Sequence, residues 1–300
     1  MSSYQFYSSK KLLELLETHQ LLRISDLVLK SESELTGRTE AEIFENMKKR
    51  LYIMRDSIAA GRDNEQRSKS GMIGGEAKLV QQAAGKKLFV SEVVRRATEY
   101  ALGVMEANAC MGRVVAAPTA GSAGIVPGVL WAIHECWDIP EEEVVRGLLT
   151  ASGIGIVIAS IATFSAAEAG CQAEIGASSA MAAAAISEMR GLSPERAVNA
   201  AALALKNMLG LACDPIGGLV EVPCVKRNAF GANHAMLASD LSFMNITSVV
   251  PFDEVLMAMN NISHNMSENI RETAKGGLAV SKTGKRIMER MALQRKMGCA

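Results

Sequence analysis

Three cysteines, Cys171, Cys213 and Cys224, sit beside residues that bend or cap the backbone. Cys171 follows Gly170, Cys213 opens the run Cys213-Asp214-Pro215-Ile216-Gly217-Gly218, and Cys224 follows Pro223. A cysteine used for packing belongs in the middle of an apolar helix face, as a small hydrophobe. Thiols at turns can instead converge on one point. Three thiolates suit a metal centre with one coordination position left open, the arrangement that separates catalytic from closed structural sites. A compact Cys-x-x-Cys pair would be a sharper metal signal than this spacing. Cys110 and Cys136 fall within helical apolar segments and read as packing residues. Cys299, beside the C-terminus, is either a frayed end or a mobile thiol able to reach the open position as a fourth ligand. The four histidines lack metal-ligand spacing and read as structural.

A second chemical stretch is Pro118-Thr119-Ala120-Gly121-Ser122-Ala123-Gly124, running into apolar Ile125–Ile133. Glycines let a backbone approach a ligand closely, and a following helix offers unpaired N–H groups to an anion. Thr119 and Ser122 add hydroxyls, so Thr119, Gly121, Ser122 and Gly124 are candidates for binding a small carboxylate. The plainer reading is a tight helix crossing that needs small residues. Ser68–Glu76 is similar, and contributes Ser70, Gly74 and Gly75 as candidates. After Cys224 come Lys226, Arg227 and Asn228, of which Arg227 and Asn228 are further candidates for binding the substrate. A fixed guanidinium can clamp a carboxylate through two parallel hydrogen bonds, although a lone Lys-Arg pair is more often a solvated turn.

The elements that must position these residues read as helices. Apolar residues make up 49% of the 300-residue chain, enough for a large core, while aromatics at 4% leave Met and Ala to fill closely packed interfaces. Thr39 and Glu42 form a capping-box signature before a helix with Ile43, Met47, Leu51, Met54 and Ile58 on one face, which Gly61 is expected to stop. Helical pattern returns over residues 91–109 and again after Pro140 with its three glutamates. Residues 147–167 carry no charge and are long enough to span a bilayer. Their Gly, Ala, Ser and Thr content fits the centre of a helical bundle better, so no membrane is expected. Ala177–Met189 is Ala-rich, Ser193-Pro194-Glu195 opens another helix, and Pro251-Phe252-Asp253 begins a long one expected to close at Gly276-Gly277. A basic amphipathic tail follows. The fold class is all-α: one large helical catalytic domain over 1–300, with 1–65 as an N-terminal helical extension. Zero net charge without a basic stripe argues against nucleic acid. No secretory signal is read at the N-terminus, and the cysteine usage fits a reducing, cytoplasmic setting.

Together, Pro118–Gly124, Cys213-Asp214-Pro215 with Gly217-Gly218, Cys224 with Arg227-Asn228, and Glu272-Thr273 with Gly276-Gly277-Leu278-Ala279 resemble the iron–sulfur L-serine dehydratases. The α chain of the two-chain type is the nearest match, over most of the chain from about Ser68 onward. The resemblance implies an all-helical catalytic domain and a [4Fe–4S] cluster held by Cys171, Cys213 and Cys224. It implies conversion of L-serine to pyruvate and ammonia, the cluster acting as Lewis acid on the departing hydroxyl. The serine-rich Ser-Ser-His-Thr-x-Gly-Pro block of the family is missing here, which implies a separate β chain and leaves the catalytic base unassigned. Two alternatives stand beside this one: a cluster-dependent dehydratase of another β-hydroxy amino acid such as L-threonine, and a non-enzymatic helical scaffold whose cysteines bind zinc.

Overall fold

A computed structural model describes residues 3–63 and 67–296. Among them are thirteen α-helices and no β-strand. The first five are α1 (Ser9–Thr18), α2 (Ile24–Thr36), α3 (Glu40–Arg62), α4 (Glu76–Gln81) and α5 (Glu92–Ala109). Then follow α6 (Ile125–Trp137), α7 (Glu141–Ile161), α8 (Ala166–Ala169), α9 (Ala177–Met189) and α10 (Pro194–Lys206). The chain finishes with α11 (Cys224–Phe243), α12 (Phe252–Asn265) and α13 (Lys282–Lys296). The all-α class expected from the sequence is therefore the class observed.

Helix α9 is the axle of the bundle. Every one of its residues is buried, walled in by α6, α7, α10 and α11. Its run of alanines is what allows neighbours on all sides: small side chains bring backbones close without a solvent-facing stripe. Helix α7 is apolar and long enough to cross a bilayer, but 67% of its most apolar window is covered inside the bundle by α9, α2 and their neighbours. One contiguous apolar core runs from Phe6 through to Met259, so α1–α3 share it with the later helices.

Local signals and tertiary contacts divide the work of ending helices. The Thr39–Glu42 capping box forms in full. Helix α2 has Arg23 at its N-cap and no local side-chain cap; instead the buried carboxylate of Glu188, on α9, accepts from the amides of Ile24 (2.6 Å) and Ser25 (3.3 Å). A carboxylate there satisfies orphan N–H groups and meets the positive end of the helix dipole. Glu106 does the same for α4, accepting from Gly75 (2.8 Å) and Ala77 (2.7 Å), and Asp253 for α1, accepting from Ser9 (2.8 Å) and Lys10 (3.1 Å).

Two expectations need correction. Gly61 does not stop α3; it lies inside the helix, where α3 crosses α5 at Gly103. The helix begun at Phe252 ends at Asn265, well short of Gly276. The backbone beyond is drawn out of helix because Cys213 bridges to it, with its N–H on Ile270 O (2.8 Å) and its carbonyl accepting from the Glu272 amide (2.8 Å).

A side chain at Gly61 would put its Cβ 1.7 Å from the Gly103 carbonyl oxygen, which only separation of the helices could relieve. Gly61→Ala should therefore destabilise the protein by about 3 kcal/mol despite alanine's better helix propensity, measured as a loss of melting temperature and of denaturant midpoint.

Candidate metal centre and the loop beside it

Cys171, Cys213 and Cys224 are all buried, with 1%, 2% and 4% of their surface exposed. Each is delivered by a different local device. Gly170 turns the chain with φ of 71° in a spot where a Cβ would strike Leu211 O and Met266, and the chain then enters a π-helical turn, Gln172–Gly176. Cys171 sits at the head of that turn. Cys213 is held by its bridge to Arg271, and Cys224 is the first residue of α11, behind Pro223. The sulfurs of Cys171 and Cys213 and a carboxylate oxygen of Glu174 lie within 4.8 Å of one another. Cys224 lies near enough that the charge of Cys171 acts on it.

The electrostatics of the trio are unequal. A hydrogen bond from Cys213 holds the Cys171 thiol below its ordinary range, with the Arg227 guanidinium helping, while the same bond and burial push Cys213 up. Burial pushes Cys224 up to about 12. Cys171 is thus the easiest of the three to ionise, since three buried anions would repel one another. A bound cation inverts that logic and lets all three ionise. Buried soft donors of this kind fit a thiophilic metal centre.

The Pro118–Gly124 stretch lies against this centre. Thr119 Oγ1 donates to Glu174 Oε1 (2.7 Å), and residues Ala120–Ser122 form a short 3₁₀ turn. Two inner helices grip the loop. Ser178 of α9 donates to Ala117 O (2.7 Å), and Asn228 of α11 accepts from the Gly124 amide (3.0 Å) while donating to Gly121 O (2.8 Å) and Cys224 O (2.9 Å). Asn228 is fully buried, so its amide is committed to these three contacts, two of them to the loop. Gly124 serves the close crossing of α6 over α5, where a Cβ would approach Ala101 O at 2.4 Å.

Arg227 faces inward. Its Nη1 donates to Cys171 Sγ (3.3 Å) and Ala212 O (2.7 Å), and its Nη2 to Asp214 Oδ1 (3.1 Å). Asp214 Oδ2 in turn accepts from the Leu278 amide (2.8 Å), tying the second cysteine loop to the Gly276–Leu278 segment. Ser70 bonds Glu221 beside Ser68, and the two line a cavity of about 470 Å³ that also reaches Ala120. Gly74 and Gly75 pack instead on Glu76 and Glu106. Cys110 ends α5 and Cys136 lies in α6, both half-buried. His19, His134 and His234 are hydrogen-bonded to backbone carbonyls. Cys299 lies outside the described residues.

Residues 19–279 match the family model described as serine dehydratase alpha chain. The chain belongs to that family. It is 44% identical to a probable L-serine dehydratase alpha chain of Bacillus subtilis over 287 residues, 95% of each chain. It is also 44% identical to the L-serine dehydratase alpha chain of Peptoniphilus asaccharolyticus, over 89% of this chain and 91% of that one. The L-serine dehydratase TdcG of Escherichia coli is 36% identical over 92% of this chain, which spans 62% of that longer protein.

One residue at the centre, Glu174, is missed by sequence reasoning. Glu174 follows Cys171 by three positions, the spacing that places two side chains on one face of a helical turn, and that Cys-x-x-Glu pattern was the available signal. Burial pushes its carboxyl above the ordinary range, the Thr119 hydroxyl opposes this, and the charge of Glu272 adds to it.

Because Asn228 braces the loop at Gly121 and Gly124, Asn228→Ala strands the buried Gly124 N–H and Gly121 carbonyl. It should cost about 3 kcal/mol, and hydrogen–deuterium exchange at residues 121–124 should accelerate well beyond that of the neighbouring α9 amides.

Proposed function

We propose that this chain is the α chain of an L-serine dehydratase, converting L-serine to pyruvate and ammonia, with a [4Fe–4S] cluster held by Cys171, Cys213 and Cys224. The observation that carries the reading is the convergence of two buried thiols, Cys171 and Cys213, with a third buried thiol, Cys224, close enough for the charge of Cys171 to act on it, beside the Thr119–Gly124 loop. Membership of the serine dehydratase alpha chain family and the names of its relatives support it.

Loss of the Cα proton and the Cβ hydroxide from L-serine leaves 2-aminoacrylate. This tautomerises to an imine that takes up the lost water again and releases ammonia. Expelling hydroxide is the difficult step, and a cluster held by Cys171, Cys213 and Cys224 would supply Lewis acidity there, worth several kcal/mol. The chain's own residues do the rest. Arg227 keeps a positive charge on Cys171, and Asp214 keeps Arg227 in place. The backbone N–H groups of the glycine-bearing turn, ahead of the N-terminus of α6, offer donors for the substrate carboxylate, while the Thr119 hydroxyl is committed to Glu174 and the Ser122 hydroxyl stays inside the loop. Asn228 and Ser178 hold that turn rigid, so its donors need not reorganise during reaction.

The further length of the Escherichia coli relative supports a second chain, a β chain, as the working partner of this one. We place the enzyme in the cytoplasm, where reducing conditions keep such thiols available. A zinc reading draws on one observation, the closeness of Glu174 to two of the sulfurs, since zinc accepts carboxylate and thiolate together.

One experiment separates these. Anaerobically prepared Cys171→Ser, Cys213→Ser and Cys224→Ser variants should lose the visible absorbance of an iron–sulfur centre, together with pyruvate formation in the presence of the β chain. Cys110→Ser and Cys136→Ser should keep both. Full iron content in any of the first three, or a colourless zinc-loaded parent, contradicts the assignment.

A further inference from the structure

Glu174 is a carboxylate in poor company. The titratable groups that act on it or on which it acts are Cys171, Cys224 and Glu272, all of them acids. Arg227, the cation of this centre, spends its two terminal nitrogens on Cys171, Ala212 and Asp214. Among the described residues Glu174 makes no ion pair, and its one hydrogen bond is from Thr119 to Oε1. A half-buried carboxylate set among acids is costly unless a positive group comes to it. The fold nevertheless goes to some length to put it there. The π-helical turn after Cys171 aims Cys171 and Glu174 to the same side, and Gly121 is bare where a Cβ would come within 2.9 Å of both carboxylate oxygens. Oε1 is fixed by Thr119 while Oε2 has no hydrogen-bond partner among the described residues.

We propose that Glu174 binds the α-ammonium group of the amino-acid substrate, and so makes this site select amino acids over otherwise identical acids. The inference rests on the reading of the site as one for L-serine. Of the three polar groups of serine, only the ammonium is positive, and only it is attracted to Oε2. Its three N–H donors can serve Oε2 and the Thr119 hydroxyl together, because Thr119 remains an acceptor while donating to Oε1. With the ammonium on Glu174 and the carboxylate on the loop at Thr119–Gly124, the Cβ hydroxyl points toward the thiols by exclusion. Glu174 thereby fixes which face of the substrate meets the metal centre.

The test uses the anaerobic holoenzyme, with its cluster and β chain, as parent, Glu174→Gln and Glu174→Asp. Glutamine keeps the size and the hydrogen bond from Thr119 but removes the charge. The expected result is a rise in KM for L-serine of about 10- to 100-fold in the Gln variant, the size of a lost charge-assisted hydrogen bond. Calorimetric Kd for L-alanine should rise alike, whereas Kd for 3-hydroxypropanoate, which lacks the ammonium, should change less than about threefold. Aspartate keeps the charge and should recover part of the loss, and the iron–sulfur absorbance should be the same in all three proteins. The proposal is overturned if the Gln variant weakens L-alanine and 3-hydroxypropanoate equally, if kcat collapses with binding unchanged, or if the absorbance is lost, which would put Glu174 among the metal ligands. A parent that binds L-alanine through Glu174 yet makes no pyruvate from L-serine contradicts the proposed reaction and leaves the ammonium site standing.

Discussion

Helix α9 has no solvent face, and that constraint propagates outward to the candidate metal centre. Its polar side chains must find partners inside the bundle, and they find them in the parts of the site. Ser178, in its first turn, holds the carbonyl of Ala117 and so one end of the Pro118–Gly124 loop. Ser179 holds Gly231 O on α11, the helix that begins at Cys224 and carries Arg227 and Asn228. Glu188, near its far end, caps α2. The chain enters α9 through the π-helical turn that aims Cys171 and Glu174. Moving α9 would therefore move a cysteine, a carboxylate and the loop at once. The geometry of the site is as stiff as the core is well packed.

Burial sets the chemistry as well as the shape. Burial opposes ionisation of the three thiols, and the chain answers by easing it at Cys171, where a guanidinium is aimed, and raising the pKa of Cys213 and Cys224. The same burial leaves Glu174 short of a cation. A thiophilic cationic centre on one side and an ammonium-bearing substrate on the other would relieve both imbalances, which is why the two readings reinforce each other.

Much of this was legible from residues alone where the signal is local. Turn residues beside Cys171, Cys213 and Cys224, the Thr39–Glu42 capping box, and the small-residue run at Pro118–Gly124 announce their conformations within a few positions. What was not legible depends on partners far along the chain. Helix α2 has no cap in its own sequence because Glu188 supplies it from 164 residues away, and α4 relies likewise on Glu106. Gly61 reads as a helix stop, since nothing nearby in sequence reveals that Gly103 lies against it. The end of α12 is set by the bridge from Cys213, an event invisible from Phe252 onward. Asn228 and Arg227 were found as candidates, but that both turn inward to brace the loop and Cys171 is a fact of packing.

The central claim is that three protein thiolates hold one iron–sulfur cluster, and counting the metal tests it most directly. Iron, acid-labile sulfide and zinc should be determined per chain on anaerobically reconstituted protein, with Mössbauer spectroscopy of the iron. The account predicts about four irons and four sulfides per chain, with one iron distinguishable from the other three because no cysteine among Cys171, Cys213 and Cys224 remains to bind it. One zinc per chain with no sulfide, or four equivalent irons, would contradict it.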